Sequence, residues 1–460
     1  MQNTLTIKKS NMRRQNNYMI TCVSLFIALI FFIGCKKEDI TPPDPDPVDP
    51  PVLVIEKANY YVAPDGNDAN PGTIDKPFKN WDKIIKIIKP GDLVYLRGGT
   101  YYKSGLSGSN ACYFVGKSGT PGNYIRIWAY PGEKPVLDCS TMNKVSGYGV
   151  LISGDYWHIK GIEIKNFPQG YDAAKNVSTV ARGIGLINAN NNIIENVTSH
   201  DNQGMGMGMG QASTNNLIKN CDFYNNYDPY TISGEGKEYH GGNADGAQLR
   251  AYKGSTNTLK GCRLYHNSDD GLDLWENEGT MIIDSCWAFN NGYDMGDGNG
   301  FKYGRTLEPY EDITKRITTH CLAYNNKNGG FDQNNADVKM VFYNNFAYKN
   351  GGKAYYMSKF NLKNTFQNNI SYMNGDPYEA LITAESINTN NSWNGITISD
   401  SDFSSINMTG IDGPRKANGN LPDVGFLIPS LNGNFVDKGI DVGFPFYGKA
   451  PDIGLFELKK

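Results

Sequence analysis

An excess of charge of one sign is missing from this 460-residue chain: 44 basic residues stand against 47 acidic ones, for a formal net charge of −3. That balance gives no strong field for gathering nucleic acid, and no nucleic-acid partner is expected. Long hydrophobic runs are missing as well. The apolar stretch from Tyr18 to Ile33 has sixteen residues, short for a helix that spans a bilayer. With 39% hydrophobic and 20% charged residues and a mean hydropathy of −0.49, the composition fits a soluble, folded, rather polar protein and excludes a multi-span membrane protein. Evenly spaced leucines are lacking too, which excludes leucine-rich repeats. In their place stand 52 glycines and 29 tyrosines, a composition that favours turns and strands over long helices.

Lys8, Lys9, Arg13 and Arg14 precede the apolar stretch and Gly34-Cys35 follows it. A basic region, a short apolar core and a small closing residue make a signal peptide, taken as residues 1–34. The small residue before a cysteine resembles the bacterial lipoprotein box, in which the cysteine becomes the lipidated first residue of the mature chain. Phe32 departs from the leucine usual at that point, and an uncleaved membrane anchor is the competing reading. Lys36-Lys37-Glu38-Asp39 resembles the surface-export signal of lipoproteins in the Bacteroidetes. The Pro/Asp run from Thr41 to Pro51 forms neither helix nor central strand and reads as an extended polar spacer. The expectation is an outer-membrane lipoprotein exposed at the cell surface, with periplasmic anchoring as the alternative. Residues 35–58 are then a lipidated linker and residues 59–460 the working domain.

Within that domain the phrase Cys-x-x-aromatic-x-Asn recurs: Cys221 to Asn226, Cys262 to Asn267, Cys286 to Asn291 and Cys321 to Asn326, with weaker copies ending at Asn202, Asn350 and Asn374. The closing asparagines are separated by 24, 41, 24, 35, 24 and 24 residues, a period of 24 with insertions of 17 and 11. Such self-similarity with short strands and Asn/Gly turns predicts an all-β parallel β-helix, one coil per repeat and roughly 4.8 Å between coils. The repeats are clear over about 160–375, and a C-terminal cap follows after about 376. The asparagines are expected to form an amide ladder, the Tyr/Phe positions to stack, and the four cysteines to stack as small buried apolar groups rather than converge on a metal. Cys112 and Cys139 could pair in an oxidising compartment. At the N-terminal end, Asn80 is expected to cap a helix carrying Trp81, Ile84, Ile85 and Ile88 on one face, stopped by Pro90-Gly91. That helix plugs the first coil, and Leu93–Leu96 reads as the first strand.

A second phrase follows the ladder: a short polar residue, Gly, an apolar residue, a variable residue, an apolar residue. It runs Asp245-Gly-Ala-Gln248, Asp270-Gly-Leu-Asp273, Asn299-Gly-Phe-Lys302 and Gly329-Gly-Phe-Asp332. With the apolar residues turned inward, strand alternation puts Gln248, Asp273, Lys302 and Asp332 on one outer surface, one coil apart. Asp245 and Asp270 occupy equivalent places, and Asp269 and Asp273 flank the latter. Four carboxylates so close raise one another's pKa unless a cation joins them, and oxygen ligands in a flexible cluster suit Ca²⁺. The spaced acids and closing Glu of an EF-hand are absent. Solvated Asp-Gly turns are the competing reading.

Ala244-Asp-Gly246, Ser268-Asp-Asp-Gly-Leu-Asp-Leu274, Gly298-Asn-Gly-Phe-Lys302 and Gly329-Gly-Phe-Asp-Gln-Asn-Asn335 resemble the family nine polysaccharide lyases, from about Tyr60 to Glu457. The resemblance implies a right-handed parallel β-helix that binds Ca²⁺ and cleaves an acidic pectic polysaccharide, homogalacturonan or rhamnogalacturonan I. Carried over by motif, the calcium acids are Asp245, Asp269, Asp270 and Asp273, and the Brønsted base is Lys302. The insertion around Arg305 to Lys315 departs from the pattern, so substrate-binding residues do not carry over. Two other classes stay open: a β-helical glycoside hydrolase using Asp269 and Asp270 as acid and base, and a non-catalytic glycan-binding β-helix. The chain is read as a monomer. One prediction belongs to its N-terminus: Cys35→Ala converts a membrane-bound protein into a soluble one, and a variant that stays with the membrane fraction on cell lysis contradicts the lipid anchor.

Overall fold

Successive coils in the middle of the chain turn a corner on a residue with left-handed backbone, set directly before a stacked side chain. Asn225, His266, Asn290 and Asn325, with φ of 52°, 53°, 55° and 50°, precede the ladder asparagines Asn226, Asn267, Asn291 and Asn326. Asparagine tolerates this conformation better than most residues. The computed structural model describes residues 55–459 except 107–109, 144–145, 358–359, 361 and 377–384. The expected signal peptide, Cys35 and the whole Pro/Asp spacer lie outside the described residues. Ile55–Lys460 forms one compact unit.

Three sheets of parallel strands form its faces. The first has twelve strands, from Tyr60–Val62 and Leu93–Leu96 to Ile387–Thr389; the second has ten, from Gly99–Tyr102 to Ile370–Tyr372; the third has nine, from Ala111–Val115 to Tyr355–Tyr356. One coil contributes Thr256–Lys260, Arg263–Tyr265 and Leu272–Asp273 to the three in turn. The next begins at Thr280, the register partner of Thr256. The interior is a column of buried apolar side chains, among them Ile194, Ile218, Leu259 and Ile283 on the first sheet and Ala247, Leu272, Phe301 and Phe331 on the third.

The expected asparagine ladder is continuous. Nδ2 of Asn202 donates to Oδ1 of Asn226 at 3.0 Å, and the relay continues through Asn267, Asn291, Asn326 and Asn350 to Asn374 at 2.8–3.1 Å. Cys221, Cys262, Cys286 and Cys321 are buried free thiols, stacked as expected. Their column runs on into a second amide ladder: the Cys321 N–H donates to Asn345 Oδ1, Asn345 Nδ2 donates to Asn369, and Asn369 Nδ2 donates to Asn391. Cys112 and Cys139 are also free, their sulfurs 3.7 Å apart in a hydrogen-bonded contact, not a disulfide. The aromatic column holds too, with His200, Tyr224, Tyr265 and Phe289 stacked at 4.6–4.7 Å.

Three expectations need correction. The plug helix is there as Trp81–Ile87 with Trp81 and Ile84 buried, but Asn80 makes no side-chain cap bond. Its amide donates instead to Asp68, which also accepts the Lys79 and Asn80 backbone N–H groups. That carboxylate ties down the chain just ahead of the helix, bonding N–H groups that precede its first turn. Leu93–Leu96 is a strand, but Tyr60–Val62 comes first and pairs beside it. Among the described residues after 376, only part covers the end of the β-helix. Trp393 packs against Tyr355 at the last coil, whereas Phe403, Phe426, Phe435 and Ile453 lie on the outer face of the second sheet over Trp287, Phe346 and Ile370. The outward aromatics of that sheet would otherwise be an exposed apolar patch.

Asn267 donates to Asn291 and to the Phe223 carbonyl and accepts from Asn226. Asn267→Ala strands several buried polar groups, at roughly 1–3 kcal/mol each, so urea unfolding should show a loss of about 3 kcal/mol. A loss too small to measure would mean the ladder is decorative.

Candidate active site

The same ladder fixes the acidic phrase. A Cβ on Gly271 would lie 2.9 Å from the ladder amide of Asn291, and one on Gly300 the same distance from that of Asn326. Glycine at these points lets the strand tuck against the ladder. The polar residue before each glycine then reaches the next coil: Asp245 Oδ1 accepts the Asp270 N–H at 3.2 Å, Asp270 Oδ1 the Asn299 N–H at 2.6 Å, and Asn299 Oδ1 the Gly329 N–H at 3.0 Å. Two residues beyond the glycine, Gln248, Asp273, Lys302 and Asp332 are consecutive register partners on the third sheet, as the alternation requires.

These side chains face away from the core but are not a solvated surface. Asp245, Asp269, Asp270 and Asp273 are 1%, 4%, 0% and 5% exposed, and Lys302 is 7%. Solvated Asp-Gly turns are therefore excluded. The 17-residue insertion lies against the cluster: the Met295 N–H donates to the His240 carbonyl, and burial together with Asp297 and Asp269 pushes the Tyr239 hydroxyl up to about 12.

The acids form two overlapping groups. Asp245, Asp270 and Asp273 bring carboxylate oxygens within 4.8 Å of one another, and so do Asp269, Asp270 and Asp297. Asp269 thus sits beside the first group, its Oδ1 accepting the Asp297 N–H at 2.7 Å. Burial and neighbouring carboxylates raise Asp245 and Asp269 above the ordinary range. Burial and Asp270 push Asp273 up to about 6, against the pull of Lys302. Lys302 Nζ lies 2.8 Å from Asp270 Oδ2 and 3.1 Å from Asp297. Burial opposes its charge, yet Asp270, Asp273, Asp269 and Asp297 hold its pKa well above the usual value. Although paired in charge, Oδ2 of Asp270 has no aligned hydrogen bond and is fully buried. An unsatisfied buried oxygen in an all-oxygen donor set, with three carboxyls pushed toward protonation, fits a hard divalent cation.

Asp297 and Asn299 were not singled out from sequence. Asp297 falls outside the repeated phrase, and the folded loop brings it to 3.1 Å from Lys302. Asn299 carries a signal in its place in the repeated phrase, and its amide donates to Asp270 at 2.9 Å.

Fold and site define a parallel β-helix with a buried carboxylate–amine cluster on the outer face of one sheet. The chain belongs to the Pel9A-like right handed beta helix family, whose model matches residues 60–391. It is 31% identical over 417 residues to pectate lyase L of Dickeya dadantii (strain 3937), covering 88% of this chain and 91% of that protein. The crystal structure of pectate lyase Pel9A superposes with a TM-score of 0.73 at 29% identity, over 87% of this chain and 96% of that one. A rhamnogalacturonan lyase gives 0.71 at 29% identity, over 81% and 96%. The family resemblance and the right-handed parallel β-helix expected from the motifs are borne out.

Carboxyls whose folded pKa is raised stabilise the fold fully below their unfolded pKa and lose that contribution as pH rises through the folded value. With divalent ions chelated, the melting temperature at pH 8 should therefore rise in Asp245→Asn, which removes one buried charge and keeps an oxygen to accept the Asp270 N–H. The gain should vanish at pH 4. A drop in melting temperature at pH 8 would contradict the repulsion.

Proposed function

We propose that the protein is a calcium-dependent lyase that cleaves an acidic pectic backbone by β-elimination at galacturonic acid. The observation that carries this is Lys302, an amine in register with Asp273 and held 2.8 Å from Asp270 within a buried acid cluster. The names of the relatives support the pectic substrate. Asp245, Asp270 and Asp273, with Asp269 beside them, would hold Ca²⁺, which when bound neutralises the carboxylates and makes the carbon beside a uronate more acidic. Left to themselves the carboxylates keep Lys302 protonated. Once their charge is offset, neutral Nζ takes the C5 proton, the C–H electron pair forms the C4–C5 double bond, and the C4–O bond breaks with its electron pair leaving on the glycosidic oxygen of the departing chain, which takes up a proton from water while Nζ returns its own to solvent. The products are a 4,5-unsaturated uronide end and a new reducing end.

The hydrolase reading fits the geometry poorly. Asp269 and Asp270 are neighbours on one turn, both engaged by backbone N–H groups, whereas a glycosidase needs its two carboxyls about 5–9.5 Å apart across the bond. Catalysis is proposed outside the cell on a lipid-anchored monomer, which the Cys35 motif and the Pro/Asp spacer support.

Lys302→Ala should lose about 10²–10⁴-fold in rate, measured by the ultraviolet absorbance of unsaturated uronide. Lys302→Arg should be nearly as inactive, since arginine keeps the charge but cannot give up its proton. Chelation should abolish turnover, added Ca²⁺ should restore it, and the rate should climb with pH as Nζ becomes neutral. A folded Lys302→Ala protein at near wild-type rate would overturn the assignment.

A further inference from the structure

Beside the acid cluster, the outer face of the third sheet carries a groove of about 420 Å³ that runs from Tyr148 and Arg182 past Arg250 to Glu276, Glu278 and Leu307 on the coils of the cluster itself. In the register column that leads to Asp273 and Lys302, the preceding positions are Gly185, Gly208 and Gln248. Neither glycine has left-handed backbone. Each is small for what lies on it: a Cβ on Gly185 would meet the Tyr148 ring at 2.3 Å, and one on Gly208 would meet Arg182 Cδ at 2.4 Å and Nε at 2.6 Å. Tyr148 and Arg182 therefore lie flat across the sheet, each leaning over the next coil toward the acid cluster. The guanidinium carbon sits 5.3 Å from the Tyr148 ring centroid.

The other arginines of this face are occupied. Arg250 and Arg305 both pair with Glu276, and Arg250 also donates to the Trp275 carbonyl. Arg182 shows neither a hydrogen bond nor an ion pair among the described residues. Burial and the like charge of Arg250 disfavour its cation, against the weaker favourable pull of Tyr148 and Asp245. A half-buried guanidinium set over an aromatic ring, with its donor fork unused by the protein, is a site for a carboxylate supplied from outside.

We propose that Arg182 binds the carboxylate of a second uronic acid in the same substrate chain, which makes the groove an acidic-sugar subsite. Gly208, on which Arg182 rests, is two coils before Asp273 and three before Lys302. At roughly 4.8 Å per coil, that is about 10 and 14 Å from the two residues. The bound sugar is therefore not the one cleaved, and Arg182 is a positioning residue. This rests on the lyase reading above. Both homogalacturonan and rhamnogalacturonan I supply such a carboxylate.

The test uses octasaccharides of each polymer with Ca²⁺, read by steady-state kinetics and by calorimetric binding. Arg182→Ala should raise KM at least tenfold on the octasaccharide the enzyme cleaves and leave kcat within about twofold, because a contact to a non-reacting sugar is uniform binding. Gly208→Ala, which displaces the Arg182 stem, should do the same, and Arg182→Lys should recover part of the loss. The polymer whose octasaccharide shows the effect supplies the carboxylate. An unchanged KM overturns the subsite, and so does a fall in kcat accompanied by weaker calcium binding, the mark of a structural partner to Asp245. A wild type that binds an octasaccharide, loses that binding with Arg182→Ala and yet forms no unsaturated product leaves the subsite standing and sinks the lyase reading instead.

Discussion

The amide ladder from Asn202 to Asn374 does more than hold coils together. Each rung bonds side chain to side chain and also accepts a backbone N–H, as when Asn291 Oδ1 receives the Asn267 N–H. A slip of register would unmake both bonds in a place water does not reach, so the ladder selects one register. Glycines after Asp245 and Asp270 bring the third sheet against it, and the side chains just beyond fall into line. Insertions of 17 and 11 residues leave the rungs at 2.9 Å between Asn226 and Asn267 and between Asn291 and Asn326. Loops can thus vary around a site whose floor is fixed.

What the floor carries is costly for a folded protein. Four carboxylates and an ammonium are gathered with little solvent, and burial of charge is unfavourable unless partners compensate. Lys302 compensates in part, but one amine does not balance Asp245, Asp269, Asp270 and Asp273. Local stability is given up for a cluster whose oxygens fit a divalent cation and whose carboxylates govern the charge of the amine beside them. Strained or repulsive clusters persist where the surrounding scaffold is strong, and here the stack of coils on either side supplies that strength.

Much of this was legible because stacking writes itself into sequence as a period. The Asn and Cys columns, the inward apolar residues and the outward line Gln248, Asp273, Lys302 and Asp332 all follow from a repeat of 24 and strand alternation. Burial of the cluster was not legible, because the loop that brings Tyr239 close has no counterpart in the repeat. Asp297 was missed for the same reason. Arg182 escaped because it acts diagonally, reaching over Gly208 on the following coil, and a column reading assigns each residue only to its own coil. The C-terminal segment has no period at all; its Phe403, Phe426 and Phe435 answer an apolar face that exists only once the second sheet has formed.

The account's central claim is that the bond is broken by elimination, with no water consumed. Mass analysis of the two fragments released from a single pectic oligosaccharide in one cleavage decides it. Elimination predicts fragment masses that sum to the mass of the parent, with the unsaturation on the fragment that carries the new non-reducing end. Fragment masses that sum to the parent plus one water would contradict the account, whatever the roles of the individual residues.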